Sequence, residues 1–255
     1  MHGFSQIAQF GKSFLVLDKC GSTNDAANEW ALQGAPEGAV VLAEEQYQGR
    51  GRRGEKWVSP RGGIWMTLIL RPPTGFEPLH GLPLIGALAV AKSVNTSLGL
   101  QARVRWPNDV VIDNRKLSGV LVESKFTGNS LSFALIGIGL NANFHATELE
   151  GIVERSTTLL DATGSPVDRA PLIYAILLHF ERLYGSVRSG EMSLVLELIR
   201  RYDCSRGKNI RVRLRRGTFR GVFLDYESLT GVRVSGNRMS PTTLDTASAI
   251  SVEYD

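Results

Sequence analysis

Cysteine is nearly absent: Cys20 and Cys204 are the only two in 255 residues. They lie far apart and outside any CxxC spacing, which excludes a disulfide framework and a thiolate metal site. Histidine is also scarce. His2, His80, His145 and His179 are scattered, and no two share a helix face at a ligand spacing. A metal is therefore expected to arrive with a nucleotide, with no dedicated site on the protein. Long apolar runs are missing, and Met1 to Phe14 has no signal-peptide core, so neither a membrane span nor secretion is expected. The expected location is the cytoplasm.

What is present reads as a globular chain, with 43% hydrophobic and 21% charged residues. Its length suits one large domain and a small appendage. The net charge of +4 is uneven: residues 206–255 hold nine Lys or Arg against five Asp or Glu, while the first 205 are balanced at twenty each. From Lys208 to Arg220 there are six basic residues and no acid. Ile210, Val212 and Leu214 alternate with Arg211, Arg213 and Arg215, the period of a strand with one apolar and one basic face. Such a face suits solvent, or else an acidic partner or phosphates. Both readings stay open at this point.

Hydrophobic patterning predicts a strand at Phe14–Asp18 and a helix from about Thr23 to Gln33. Ser22 can cap this helix, with Asp25 as an acidic variant of the capping box. Strands are expected at Ala39–Glu44 and Gly63–Arg71, and a helix at Leu82–Leu98 ended by Gly99. Ala102–Trp106 is short and extended. Val110–Ile112 and Leu117–Glu123 flank the Asp113-Asn114 turn signal, and Ser130–Leu140 continues the sheet. Pro171–Tyr184 and Ser193–Tyr202 follow as helices. The change to short basic strands places a domain boundary near residue 205, giving domains 1–205 and 206–255. Neighbouring strands with helices in blocks predict an α+β fold, a mixed β-sheet packed on helices.

Four segments carry chemistry. Gln46 leads into Gly49-Arg50-Gly51-Arg52-Arg53-Gly54, where glycines admit close backbone approach and arginines offer planar donors to carboxylate or phosphate. It is not a Walker loop, lacking the spacing and the Lys-Ser/Thr ending; a mobile basic loop touching nucleic acid is the plainer alternative. Arg105-Trp106-Pro107-Asn108-Asp109 reads as a turn, with Lys116 and Gly119 across a hairpin in reach of the same cleft. Gly137-Ile-Gly139-Leu-Asn141-Ala-Asn143 ends a hydrophobic strand; it lacks the third glycine of a dinucleotide fingerprint and more plausibly makes room for a flat ring. Ser22-Thr23-Asn24 is a helix N-terminus, explained by capping alone but also able to meet a polar ligand.

In this order and combination, across roughly residues 15–145, the segments closely resemble the biotin–protein ligase family. The resemblance implies a catalytic domain similar to class II aminoacyl-tRNA synthetases, followed by a small SH3-like β-barrel. It implies biotin as substrate, ATP with Mg²⁺ as co-substrate, a biotinyl-adenylate intermediate, and a lysine of a biotin carboxyl carrier protein as acceptor. Ser22, Thr23, Asn24, Gln46, Gly49, Arg50, Gly51, Arg52, Lys116 and Gly119 are the residues it assigns to biotin. Arg53, Trp57, Asn108, Gly137 and Asn141 go to ATP and the adenylate, and Lys116 and Arg52 to catalysis. The attacking carrier amine must lose a proton, and Asp109 is the candidate to take it, the alternative being that it only braces the loop or binds Mg²⁺.

Arg105 departs from the family, which usually has Lys before the tryptophan. Gln48 stands where a small residue is common, and Tyr226–Thr243 matches the family barrel poorly. Only 21 residues precede Ser22, too few for the DNA-binding winged helix of some members, so no DNA binding is expected. A monomer or a homodimer fits. The alternatives are a lipoate–protein ligase-type enzyme, whose pocket needs apolar contacts where the ureido ring needs hydrogen bonds, and a nucleic-acid-binding module.

Overall fold

The computed structural model describes residues 9–73, 75–149, 151, 155–215, 217–236 and 240–254. Most of the stretch read for a signal peptide, and Arg216 of the basic run, lie outside them.

The first strands and helices are β1 (Phe14–Cys20), α1 (Thr23–Leu32), β2 (Val40–Gln46), β3 (Ile64–Leu70) and α2 (Leu82–Leu98). Then come β4 (Arg103–Arg105), β5 (Asp109–Ile112), β6 (Arg115–Thr127) and β7 (Ser130–Leu140). These strands form one sheet in the order β1-β2-β3-β7-β6-β5-β4, parallel only between β1 and β2. The sheet is therefore mixed, as expected. Three helices follow: α3 (Leu159–Thr163), α4 (Arg169–Arg188) and α5 (Met192–Tyr202).

All seven residues of β3 are buried, because helices cover the sheet on both sides. Met66, Leu68 and Leu70 face the main core with α2 and α4, whereas Ile69 faces α1 beside Ala27 and Ala31. Thr67, on the same face as Ile69, is the polar exception. It lands at the first turn of α1 and helps to build the site.

The basic segment forms a second sheet of β8 (Asn209–Leu214), β9 (Gly217–Tyr226), β10 (Gly231–Gly236), β11 (Thr242–Asp245) and β12 (Ala249–Tyr254), in the order β11-β10-β9-β8-β12. Ile210 and Val212 are buried while Arg211 and Arg213 are exposed, so the alternation reads correctly. The apolar face joins the main core: Phe223 lies 5.9 Å from Trp106, ring centre to ring centre.

Several boundaries differ from the sequence reading. Helix α4 begins at Arg169, capped by Asp168, and runs to Arg188; Pro171 is tolerated because first-turn amides need no helical partner. The short α3 was not anticipated. Ser22 does cap α1, its Oγ accepting from the Asn24 amide at 3.3 Å. The expected capping-box partner, Asp25, is drawn outward to Arg50.

Candidate active site

A cavity of about 390 Å³ opens between the carboxyl-terminal half of the large sheet, the arginine loop and β12. One wall is a hydrogen-bonded cluster at the start of α1. The Thr23 amide and hydroxyl both donate to Gln46 Oε1, at 2.7 and 3.0 Å, and Gln46 Nε2 donates to Ser59 Oγ at 2.9 Å. The Thr67 hydroxyl lies 2.8 Å from Thr23 Oγ1 and 2.6 Å from Asn24 Oδ1, while Asn24 Nδ2 donates to Glu123 at 2.7 Å. The wall presents alternating donors and acceptors held in fixed places.

The floor depends on glycines. A Cβ on Gly139 would stand 2.6 Å from Trp57 Nε1, and one on Gly137 would stand 2.5 Å from Asn24 Oδ1. Gly119, register partner of Gly139, likewise faces the Trp57 ring. The room that the sequence suggested for a flat ring is thus taken by the protein's own indole and by an amide. Trp57 Nε1 is buried with no hydrogen-bond partner in the described structure, a cost that a ligand acceptor would remove.

The opposite side carries charge. Lys116 Nζ lies 2.7 Å from Asp109 Oδ1 and 5.2 Å above the Trp57 ring. This contact is a close ion pair without the alignment of a hydrogen bond. Arg105 reaches the other oxygen at 3.2 Å. Asn108 Nδ2 donates to the Val120 carbonyl, and the Val120 amide donates back to the Asn108 carbonyl, at 2.9 and 3.0 Å. The hairpin read around Asp113-Asn114 therefore does bring Lys116 and Asp109 together.

The arginine loop is a narrow hairpin. The Trp57 amide donates to the Gly49 carbonyl at 2.9 Å and the Gly51 amide to the Glu55 carbonyl at 2.6 Å. At its tip Arg53 adopts φ 56°, left-handed backbone that costs a non-glycine residue about 1 kcal/mol. Arg50 forks onto Asp25 at 2.6 and 2.7 Å. Arg52 donates to the Ala249 carbonyl at 2.6 Å, and Arg53 to the Ala247 and Ala249 carbonyls, each at 3.3 Å. Burial, then the neighbouring Arg53 charge, lowers the Arg52 pKa.

Most of the residues singled out from sequence line this one cavity: Ser22, Thr23, Asn24, Gln46, Arg50, Gly51, Arg52, Trp57, Asn108, Asp109, Lys116, Gly119 and Gly137. Three do not. Gly49 is packed against the Trp57 carbonyl and Ser59. Arg53 faces a neighbouring depression beside His80 and Pro83. Asn141 is buried and donates to the Thr157 carbonyl at 3.0 Å, tying the end of β7 to the segment leading into α3. Sequence reasoning missed Ser59, Thr67, Glu123, Arg155, Ser251 and Tyr254. Only Thr67, a lone polar residue inside an apolar strand, carried a local signal.

Residues 17–141 match the model of the biotin/lipoate A/B protein ligase family. The bifunctional ligase/repressor BirA of Bacillus spizizenii is 36% identical over 219 residues, covering 85% of this chain and 67% of the relative. The biotin–[acetyl-CoA-carboxylase] ligase of Paracoccus denitrificans is 41% identical over 122 residues, 46% of this chain and 51% of that protein. The chain belongs to the biotin/lipoate A/B protein ligase family. Among solved structures, the biotin protein ligase of Aquifex aeolicus, in complex with biotin and ATP, superposes with a TM-score of 0.83 at 25% identity. That match covers 96% of this chain and 100% of the Aquifex chain.

Proposed function

We propose that this chain joins biotin to a lysine of a biotin carboxyl carrier protein, through biotinyl-5′-AMP. The observation that carries the reading is the meeting, in one cavity, of a donor–acceptor wall at Thr23 and Gln46 with a cationic side at Lys116 and Arg52. A ureido ring needs hydrogen bonds at one end of the ligand, and a carboxylate meeting a phosphate needs positive charge at the other. Ser22, Thr23, Asn24 and Gln46 serve the ring. Arg50, Gly51, Arg52, Lys116 and Gly119 serve the rest of the acyl chain and its carboxylate, with Trp57 and Asn108 towards the nucleotide, while Gly137 packs on the Asn24 amide at the ring end.

In the first half-reaction the biotin carboxylate oxygen attacks the α-phosphorus of ATP, and pyrophosphate leaves with the electrons of the broken P–O bond. Lys116, fixed before the reaction starts, stabilises the charge on the phosphoryl oxygens, and Arg52 adds its charge as the hairpin covers them. In the second, the neutral carrier amine attacks the acyl carbon and AMP departs. Asp109 is the candidate to receive the proton the amine loses. The arginine hairpin keeps water from the labile anhydride.

Mg²⁺ would come with the nucleotide phosphates and neutralise part of their charge. Both Asp109 oxygens already face cations, and no group of three or more His, Cys, Asp or Glu gathers among the described residues. The architecture is read as a class II synthetase-like domain over residues 1–205 and an SH3-like barrel over 206–255. The exposed Arg211, Arg213 and Arg220 of that barrel give an acidic carrier a landing surface, because Arg213 pairs in register with Ser251 at the cavity wall. No helix among the described residues is long and apolar enough to cross a membrane, and a cytoplasmic carrier fits that.

Acyl transfer through a cysteine is disfavoured, since burial raises both the Cys20 and Cys204 pKa values. The test is incorporation of labelled biotin into a carboxyl carrier domain with ATP present, with lipoate as the competing acid. Biotin-only labelling is the expected result; lipoate labelling, or none, would overturn the reading.

A further inference from the structure

Arg105 stands where the family usually has lysine, and its surroundings give the arginine a use that lysine cannot match. Its guanidinium lies 5.6 Å from the ring centre of Tyr254, donates to the Asn114 carbonyl at 3.2 Å and donates to Asp109 Oδ2 at 3.2 Å. A planar fork can stack on an aromatic face and still bond at its edges, which a lysine ammonium cannot do. Tyr254 is itself fixed: its hydroxyl donates to the Trp106 carbonyl at 2.6 Å and lies 3.1 Å from Ser205 Oγ. The last strand of the small sheet therefore holds Arg105, and Arg105 holds one oxygen of Asp109.

The other Asp109 oxygen faces Lys116. A carboxylate this close to the lysine attenuates the positive charge that Lys116 offers to the cavity. Arg105 competes for that carboxylate, and Arg52 also feels the Asp109 charge. At a side chain only 15% exposed, the competition acts with little screening by water. We infer that Arg105 is a positioning residue which, anchored by Tyr254, shares the Asp109 carboxylate with Lys116 and so leaves more of the lysine's charge available to the carboxylate of the acyl substrate. This rests on the reading of the cavity as the biotin site. It goes further by assigning a role to a residue that touches neither reacting atom.

The test compares two ligands of the same shape: biotin, with its carboxylate, and the corresponding uncharged alcohol. Calorimetric titrations would use the full chain as wild type, Arg105→Gln, Arg105→Lys and the double variant Arg105→Gln/Asp109→Asn. Arg105→Gln should weaken biotin about tenfold, a change of roughly 1.4 kcal/mol, and leave the alcohol unchanged. The double variant should regain most of the biotin affinity, because no carboxylate then opposes Lys116. Arg105→Lys should fall between wild type and Arg105→Gln. Equal losses for both ligands in Arg105→Gln, no loss at all, or no recovery in a folded double variant would overturn the inference. A wild-type chain that binds neither ligand would overturn the underlying biotin reading as well. An altered selectivity between acid and alcohol is a readout that a purely structural role does not move.

Discussion

The two loops that frame the cavity are built on opposite principles. The turn is buried from Trp106 to Asn108 and bonded to its surroundings: the Trp106 amide donates to Ser205, its indole to Thr246, and Asn108 is exchanged with Val120. The arginine hairpin is tied down by its side chains at the rim, through Arg50 on a half-exposed Asp25 and Arg52 and Arg53 on carbonyls of the small sheet. Releasing the turn would strand buried polar groups at about 1–3 kcal/mol each. Releasing the hairpin mostly exchanges rim contacts for water. The turn is thus a preorganised charge holder and the hairpin a cover, so rate belongs to the first and retention to the second.

The largest expected effect follows from this division. Lys116→Ala, at the end of the rigid side, should slow adenylate formation by roughly 10²–10³ without unfolding the protein, as followed by biotin-dependent pyrophosphate release and circular dichroism. Normal release by a folded variant would remove Lys116 from the chemistry.

Arg52→Gly breaks the comparison from the cover's side. Losing a charged hydrogen-bonding partner should weaken retention of the adenylate by about 1.5–3 kcal/mol, while Lys116 continues to support its synthesis. The escaped acyl-adenylate reacts with any accessible amine, so serum albumin added to the assay should acquire biotin. Unlabelled albumin beside continued synthesis would refute the retention role.

Gly139→Ala tests the floor that both loops share. The new methyl would press on the Trp57 indole, and overpacking of this kind costs roughly 1–3 kcal/mol. Biotin affinity should fall and tryptophan fluorescence shift; unchanged values would mean the indole has room to move.

The smallest effect concerns the Arg50–Asp25 latch. The hydrogen bond from Arg50 lowers the Asp25 pKa. A lowered carboxylate pKa contributes stability above its ordinary value and loses it only as the pH falls through the lowered one. Cleavage of the hairpin by an arginine-directed protease should therefore be insensitive to the latch between pH 8 and 5. It should rise with salt, because exposed pairs contribute at most about 1 kcal/mol and are screened. A pH-dependent rise at constant salt would contradict this assignment.

How far the sequence reached follows the same division. Helix α2 and strand β7 were legible to the residue, since seventeen and eleven residues of steady apolar pattern leave little choice. The pairing of Lys116 with Asp109 was legible because a two-residue turn fixes the hairpin between them. Asn141 was legible as a special residue, but its amide serves the chain rather than the cavity. Tyr254 and Ser251 were beyond reach. They arrive from the far end of the chain, through the packing of one sheet on another, and no local spacing encodes that meeting. The bond of Asp25 to Arg50 also escaped, because a local capping pattern cannot reveal a stronger partner from a distant loop.

The central claim is that this cavity makes an acyl-adenylate on its rigid side and keeps it under its cover. Incubating the full chain with biotin and ATP, separating protein from solution by rapid filtration, and assaying both fractions for biotinyl-5′-AMP by mass spectrometry tests it most directly. The account predicts adenylate with the protein for wild type, adenylate in the filtrate for Arg52→Gly, and almost none in either fraction for Lys116→Ala. No adenylate from the wild-type chain, or identical partition by wild type and Arg52→Gly, would contradict it.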